Sequence, residues 1–248
     1  MGNTPGCRSR FVFGRNTDIS TTFEDLWDGG GIYAWYPTVS VAVDCVSTDI
    51  RDTAGGEGAR SITVEGLDFD FLRIGETINM DGTTPVVLVN NYRRLLKIVA
   101  FQAGSNLLNF GSIFCESVAT QGGISAGDGV PSDDDAQQMQ PGNGSSLLAG
   151  WTVPDVETAV LVNGAYQTAK DAAAEVSLFA RFNSVSDPAW FMVWIGETYQ
   201  NSYTFGTATV VAFPARTDIR MGAAEGTVMG QPQTTAITGF FELYFFKD

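Results

Sequence analysis

The sequence predicts an all-β protein, a jelly-roll-like antiparallel β-sandwich of about a dozen strands with very little helix. Three observations predict this class. Apolar and polar residues alternate with a period of two in many short segments, glycines and turn dipeptides separate these segments, and helix signals are rare. Short strands at this spacing are typical of sandwiches and jelly rolls rather than of βαβ units.

The alternating segments recur along the whole chain. The clearest ones are residues 39–45, 62–64, 72–80 and 176–182. Further apolar runs lie near residues 85–90, 95–101, 147–153, 158–162, 190–195, 207–213 and 236–246. Asp81-Gly82 stands between two alternating segments and is the strongest β-hairpin signal in the chain, because this dipeptide suits a tight two-residue turn.

Two segments carry weak helix signals. Thr21 and Glu24 have the spacing of a capping box, which predicts one short helical turn. Residues 168–175 are rich in alanine and fit either a helix or a loop that precedes a strand. Neither segment is long enough to organise the fold.

We expect two regions. Residues 1–37 are predicted to form an extended N-terminal arm, and residues 38–248 a β-sandwich of jelly-roll type. The interval 121–146 is polar and rich in glycine and aspartate. It is either a linker that subdivides the sandwich or a long exposed loop within it.

Composition excludes several function classes. The chain has no histidine, which removes Ser-His-Asp and Cys-His catalysis and His-ligated zinc. The net charge of −14 disfavours binding to nucleic acid or to anionic membranes, since both need clustered basic residues. No nucleophile elbow and no phosphate-binding loop occurs. We therefore expect a protein that is not an enzyme, with no catalytic residues, no cofactor and no metal.

The three cysteines are Cys7, Cys45 and Cys115, and no CxxC motif is present. Cys45 lies in the apolar phase of a predicted strand, so we expect a small core residue. The odd number of widely spaced cysteines predicts folding in a reducing compartment. No apolar run is long enough for a signal peptide or a membrane span. These features predict synthesis in the cytoplasm.

Two sets of acidic residues leave alternatives open. The polar interval carries Asp128, Asp133, Asp134 and Asp135. They offer oxygen ligands for calcium but lack EF-hand spacing, so a solvated acidic loop is the other interpretation. Glu76 shares the alternation phase of Ile74 and Ile78, so it points toward the core either as a catalytic carboxylate or as a structural one.

Low charge and two-faced apolar strands predict contacts with other subunits. Charged residues make up 17% of the chain, against roughly 25% in typical soluble domains. The C-terminal segment 240–246 is apolar on both faces, so it must be central in a sheet or covered by a neighbour. The candidate interface residues are Phe13, Arg15, Trp27, Trp35, Tyr36, Trp190, Trp194, Phe241 and Phe245.

Four segments resemble a family of tailed-bacteriophage virion structural proteins. They are FGRNTDISTTFEDLWDGGG (13–31), TAGGEGARSITVEGL (53–67), GETINMDGTTPVVL (75–88, followed by the Tyr-Arg-Arg segment 92–94) and FPARTDIRM (213–221). Their order and spacing agree with that family over most of the chain. The chain departs from the family in the acidic interval 121–146 and in its phenylalanine-rich terminus.

The resemblance implies a particle component that decorates or cements the capsid or forms a head fibre. It also implies a homo-oligomer, typically a trimer, with the major capsid protein or other virion proteins as partners and the virion as location. Residues 13–31 would be the docking arm. The rival hypotheses are a receptor- or glycan-binding fibre head, a carboxylate-based depolymerase, and a connector or tail component.

Overall fold

The computed structural model describes residues 7–118, 135–168, 173–184, 188–199, 202–225 and 235–247. The predicted fold class is confirmed: these residues form antiparallel β-sheets and contain no α-helix. Within the same ranges, no segment provides a helix that could cross a membrane.

The strands follow one another at short intervals, as the turn chemistry predicts. In chain order they are β1 (Cys7–Ile19), β2 (Glu24–Asp25), β3 (Val41–Ser47), β4 (Ala59–Leu67), β5 (Arg73–Asn79), β6 (Val86–Tyr92), β7 (Arg94–Ala103), β8 (Ile113–Ser117), β9 (Asp135–Met139), β10 (Gly150–Thr152), β11 (Glu157–Thr168), β12 (Ala173–Phe182), β13 (Phe191–Tyr199), β14 (Ser202–Phe213), β15 (Thr217–Glu225) and β16 (Thr235–Lys247).

The chain divides into two compact units. The first, here the jelly-roll unit, comprises Met1–Tyr33 and Leu148–Asp248; the second, here the inserted unit, comprises Ala34–Leu147. This division differs from an arm ending at residue 37 and a boundary within 121–146. Much of the segment expected to be an arm is strand β1, which pairs with the C-terminal strand β16 over most of its length.

The jelly-roll unit contains two four-stranded sheets, with the short strand β2 added beside β15. Their strand orders are β1-β16-β11-β14 and β10-β15-β12-β13. Numbered along the unit without β2, these orders become 1-8-3-6 and 2-7-4-5, which is the winding of a jelly roll. The chain therefore passes back and forth between the two sheets. Within each sheet, neighbouring strands are not consecutive along the chain, except in the β12–β13 hairpin.

Aromatic rings fill the space between these two sheets. Trp151 of β10 contacts Phe245 of β16 with ring centroids 6.1 Å apart. Trp194 of β13 stacks on Phe205 of β14 with centroids 4.1 Å apart. Each ring pair joins one sheet to the other, so inward-facing side chains from all four of these strands contribute to the core.

The inserted unit is a second arrangement of two sheets, with orders β6-β3-β8-β9 and β5-β4-β7. Apolar residues from both sheets are fully buried, among them Val43, Ile62, Val64 and Ile98. Polar contacts also join the sheets: the Gln137 side chain on β9 donates to the backbone carbonyl of Leu95 on β7, at 3.1 Å.

Two local predictions fail, and a third falls mostly outside the described residues. Asp81-Gly82 does not close a hairpin, because β5 pairs with β4 while β6 pairs with β3 in the other sheet. Glu24 begins strand β2 instead of a helical turn, and its carboxylate accepts a hydrogen bond from the Ser20 backbone N–H. Residues 169–172 lie outside the described residues, and Ala173 already belongs to strand β12.

Cys45 is buried, as predicted for a small core residue, but it is not the free thiol that folding in a reducing compartment predicts. Cys45 and Cys115 form a disulfide between β3 and β8, and Cys7 is the free cysteine. The two residues are 70 positions apart in the sequence but directly opposite in the strand register. Only the pairing of β3 with β8 brings them together, and no local sequence pattern signals it.

Candidate interaction surface

The outer face of sheet β1-β16-β11-β14 is the strongest candidate for a functional surface. Alternation in these strands sends one phase into the core and leaves the other on the outside. The outward phase carries apolar side chains on all four strands, beside polar ones such as Ser9, Asn163 and Glu242. Such a face usually carries mainly polar residues. The residues of this outer apolar face are Phe11, Phe13, Val160, Val210, Phe240, Tyr244 and Phe246.

Three phenylalanine rings form the densest part of the outer apolar face. Phe13 lies opposite Phe240 in the β1–β16 register, with ring centroids 5.2 Å apart. Phe11 completes the group at 6.2 Å from Phe13 and 5.9 Å from Phe240. Phe11 is 49% exposed and Phe13 48%. Large rings held half in solvent on a regular sheet are typical of a surface that contacts another molecule.

Charged groups near this face are held by neighbours in the same unit. Glu242, between Phe240 and Tyr244 on the outward side of β16, accepts a hydrogen bond from the Asn163 side chain at 2.8 Å. Arg15 on β1 forms an ion pair with Asp28, whose side chain is buried, at 2.9 Å. The face therefore offers apolar contact area with its nearest ionic groups already partnered.

The structure separates the predicted interface residues into exposed and buried sets. Phe13 lies on the outer apolar face, whereas Phe241 and Phe245 occupy the inward phase of β16 and are buried. Trp27 is buried and its ring contacts the Tyr33 ring, with centroids 5.3 Å apart. In this fold, Trp27 supports the core of its own unit.

Two of the predicted aromatic residues belong to the inserted unit. Trp35 is buried, and Tyr36 is half-buried with the Arg94 guanidinium 5.1 Å from its ring centre. Arg94 is itself buried and donates to the Pro37 carbonyl at 3.0 Å. This contact fixes the start of the inserted unit against β7.

Trp190 and Trp194 have different environments. Trp190 lies under two guanidinium groups, with Arg220 4.2 Å and Arg181 4.6 Å from its rings. Trp194 is half-buried and contacts Phe205 and Tyr166. Trp190 therefore belongs to a polar-aromatic cluster and Trp194 to the rim of the core.

Most residues of the outer apolar face are absent from the predicted interface residues. The predicted set includes Phe241 and Phe245 from one phase of the C-terminal strand, whereas Phe240, Tyr244 and Phe246 form the other phase. Alternation alone could have found the two phases, but it could not tell which one faces the core. That assignment depends on which sheet covers β16.

Asp52 is a buried carboxylate whose hydrogen-bond partners give it a structural role. Asp52 accepts hydrogen bonds from the Ser47 hydroxyl and from three backbone N–H groups, those of Ala59, Phe110 and Gly111, at 2.6 to 2.9 Å. It therefore joins distant loops of the inserted unit.

Glu76 is structural by its contacts. Its carboxylate accepts from the backbone N–H groups of Val89 and Asn90, both at 2.9 Å, and from the Tyr92 hydroxyl at 3.0 Å. Burial, together with the nearby Glu76 carboxylate, raises the pKa of the Tyr92 phenol. Because the carboxylate sits on β5 and its partners on β6, it connects the two sheets of the inserted unit.

For Asp25 and Asp44, burial disfavours the ionised form of the carboxyl group. Burial raises the pKa of Asp25 to about 6, although Arg220 lies 3.0 Å away and the Tyr33 N–H donates to the carboxylate. Burial also raises the pKa of Asp44, whose two carboxylate oxygens have no hydrogen-bond partner.

The described residues contain no group of three or more acidic or cysteine side chains able to hold a metal ion. Of the aspartates considered as calcium ligands, Asp128, Asp133 and Asp134 lie outside the described residues. Asp135 is the first residue of β9 and is buried.

No protein-family model matches the chain, and no curated protein matches its sequence. Among solved structures, the T=1 particle of infectious bursal virus is 11% identical, with 96% of this chain and 68% of that chain covered and a TM-score of 0.28. The tandem CBM22 domains of Paenibacillus barcinonensis Xyn10C are 12% identical, with 99% and 95% covered and a TM-score of 0.27. These TM-scores are too low to assign this chain to either group.

Proposed function

We propose that this protein is a non-enzymatic structural component of a tailed-bacteriophage particle, which decorates or cements the capsid through its β-sheet surfaces. One observation carries the proposal: the outer apolar face presents aromatic and aliphatic side chains to solvent on a regular sheet of the jelly-roll unit. Such a surface favours a protein that works by contact with other subunits.

The polar groups support a binding role rather than catalysis. Asp52 and Glu76 are saturated by hydrogen bonds within the inserted unit. Asp25 is held by an arginine and a backbone N–H. A glycosidase would need a pair of carboxylates across a cleft, one acidic and one basic in function. Asp52, Glu76 and Asp25 instead connect strands and loops.

The partner of the outer apolar face would be another particle protein or another copy of the chain. The four segments that resemble virion structural proteins favour that setting. The acidic surface keeps the rest of the molecule soluble and disfavours DNA, so the protein is expected on the outside of the particle or between its protein subunits.

The direct test uses particles produced with and without this protein. We expect mass spectrometry to find the chain in purified wild-type particles at a stoichiometric copy number. Particles that lack it should assemble but lose DNA at lower temperature, and purified protein added back should restore their stability. Absence of the chain from purified particles would overturn the proposal.

The alternative location is a tail, fibre or connector. Immunogold labelling of intact particles distinguishes the two, because a capsid protein labels the head surface and a tail component labels the tail. Adsorption blocked by the purified protein, with binding on a glycan array, would assign the receptor-binding role instead. Release of reducing sugars from host polysaccharide would overturn the non-enzymatic assignment.

A further inference from the structure

Strand β1 is an unprotected edge. It pairs with β16 on one side, and no described strand pairs with its other side. The pairing with β16 is regular from Cys7 to Asn16, after which the register shifts. The chain therefore exposes ten consecutive residues of regular strand edge, a length that commonly recruits another strand.

The features that usually block an edge are missing or already engaged. Strand β1 contains no proline and no lysine. Its three arginines have partners within the jelly-roll unit: Arg8 pairs with Glu157, Arg10 lies 4.6 Å from the Trp151 ring and Arg15 pairs with Asp28. Two of these guanidinium groups are thus neutralised by carboxylates and the third lies over an aromatic ring. This arrangement lowers the electrostatic repulsion between the arginines of two paired β1 strands.

We propose that two copies of this chain associate by antiparallel pairing of their β1 strands, centred on Val12, to form one continuous eight-stranded sheet. The inference deepens the proposed function, on which it rests for its biological setting, by naming the surface through which the protein self-associates. In a continuous sheet, the side chains of two directly opposite residues project from the same face. The two-fold axis must therefore pass through a residue of β1 and cannot lie between two residues.

The register centred on Val12 is self-complementary. It sets Phe11 of each copy opposite Phe13 of the other, so four exposed rings meet on the outer apolar face. The flanking pairs are Arg10 with Gly14, Ser9 with Arg15, and Arg8 with Asn16, so no two arginines stand opposite each other. Aromatic cross-strand pairs stabilise a sheet and like charges destabilise it, so this register satisfies both requirements.

The exposed halves of Phe11 and Phe13 supply about 200 Å² of aromatic surface per copy, and the backbone of the edge adds a row of hydrogen bonds. A second copy fits this edge better than an unrelated chain does, because pairing β1 with itself sets phenylalanine opposite phenylalanine and no arginine opposite another arginine. A two-fold pair also differs from the trimer that the family resemblance implies.

The test is sedimentation equilibrium of the full chain. We expect a dimer for the wild type. The double variant Phe11→Lys/Phe13→Lys sets lysines opposite each other and should weaken the dimer at least tenfold. The double variant Phe11→Lys/Phe13→Glu sets each lysine opposite a glutamate only in the register centred on Val12. It should recover part of the affinity and dimerise more tightly than the lysine–lysine variant.

Val210→Lys is the matched control. Val210 is 78% exposed on the same face but belongs to β14 at the opposite edge of the sheet, so its substitution should leave the dimer unchanged. A wild-type monomer, a trimer, an equal effect of Val210→Lys, or no recovery by the lysine–glutamate variant would overturn the inference. The circular dichroism spectrum of each variant verifies that these exposed substitutions leave the fold intact.

Failure of this inference is distinguishable from failure of the proposed function. If the chain is present in particles but monomeric in solution, the particle role stands and the β1 pairing is wrong. If the chain dimerises as described but is absent from particles, the pairing stands and the particle role is wrong.

Discussion

Cys45 and Cys115 lie directly opposite each other on β3 and β8 and are joined by a disulfide at the centre of a four-stranded sheet. The bond closes a long loop, because 70 positions of sequence separate the two residues. Restricting a loop of this length in the unfolded chain stabilises the fold by about 4 kcal/mol in the chain-entropy model.

Reduction of this disulfide should therefore lower the free energy of unfolding by about 4 kcal/mol. The measurement is urea denaturation with and without dithiothreitol, in a Cys7→Ser background that removes intermolecular disulfides. Cys7→Ser alone should leave the stability of the oxidised protein unchanged. Identical unfolding curves for the oxidised and reduced forms would show that the sheet does not depend on the bond.

Asp52→Asn should destabilise the inserted unit by about 3 kcal/mol. The carboxylate accepts four hydrogen bonds, and the amide group of asparagine would turn a donor toward at least one N–H group, leaving it buried without a partner. Chemical denaturation measures the change. The control is Asp49→Asn, which breaks the exposed ion pair with Arg51 and should cost less than about 1 kcal/mol. Equal effects of the two substitutions would contradict a special role of Asp52.

Asp25 should make the protein less stable as the pH rises through about 6. Burial raises the pKa of Asp25 from 3.8 to about 6, so between these values the folded state binds more protons than the unfolded state. The contribution is fully present below pH 4 and is lost above pH 6, with an upper limit of about 3 kcal/mol.

The measurement is the free energy of unfolding of the wild type and of Asp25→Asn from pH 4 to pH 7. Because other carboxylates titrate in both proteins, the difference between the two curves isolates Asp25. We expect the stability of Asp25→Asn to rise relative to the wild type across this window. A pH-independent difference would mean that Arg220 keeps Asp25 ionised throughout.

Asp44→Asn should stabilise the protein by about 1 kcal/mol at pH 7. Both oxygens of Asp44 are buried without a hydrogen-bond partner, and burial raises the pKa of this carboxyl. A neutral amide of the same shape avoids the cost of an uncompensated charge. The gain should shrink as the pH falls and the wild-type carboxyl becomes protonated. A loss of stability at pH 7 would show that the charged form has a partner in solution.

Alternation and turn chemistry were sufficient to predict the all-β class, but not the pairing of strands. Asp81-Gly82 has the composition of a hairpin turn, yet β5 and β6 on either side of it join different sheets. The inserted unit pairs strands that are distant in the sequence, such as β3 with β8, so a local signal cannot identify their partners. The disulfide between Cys45 and Cys115 was hidden for the same reason.

The candidate surface was predictable only in part. The two-faced strand at the C-terminus correctly drew attention to β16, but alternation gives two phases without saying which one the opposite sheet covers. Phe245 is covered by Trp151 of β10, a contact that no spacing rule supplies. The neighbouring residues Phe240 and Tyr244 are outward for that reason.

The pairing of β1 with β16 constrains how the protein can be made in the cell. Among the described strands, β1 is synthesised first and its partner β16 last, whereas the inserted unit is complete once Leu147 has emerged. The inserted unit can thus fold during translation, while β1 lacks its partner strand until β16 has emerged. A premature stop codon anywhere before β16 would leave β1 without its partner and abolish the jelly roll.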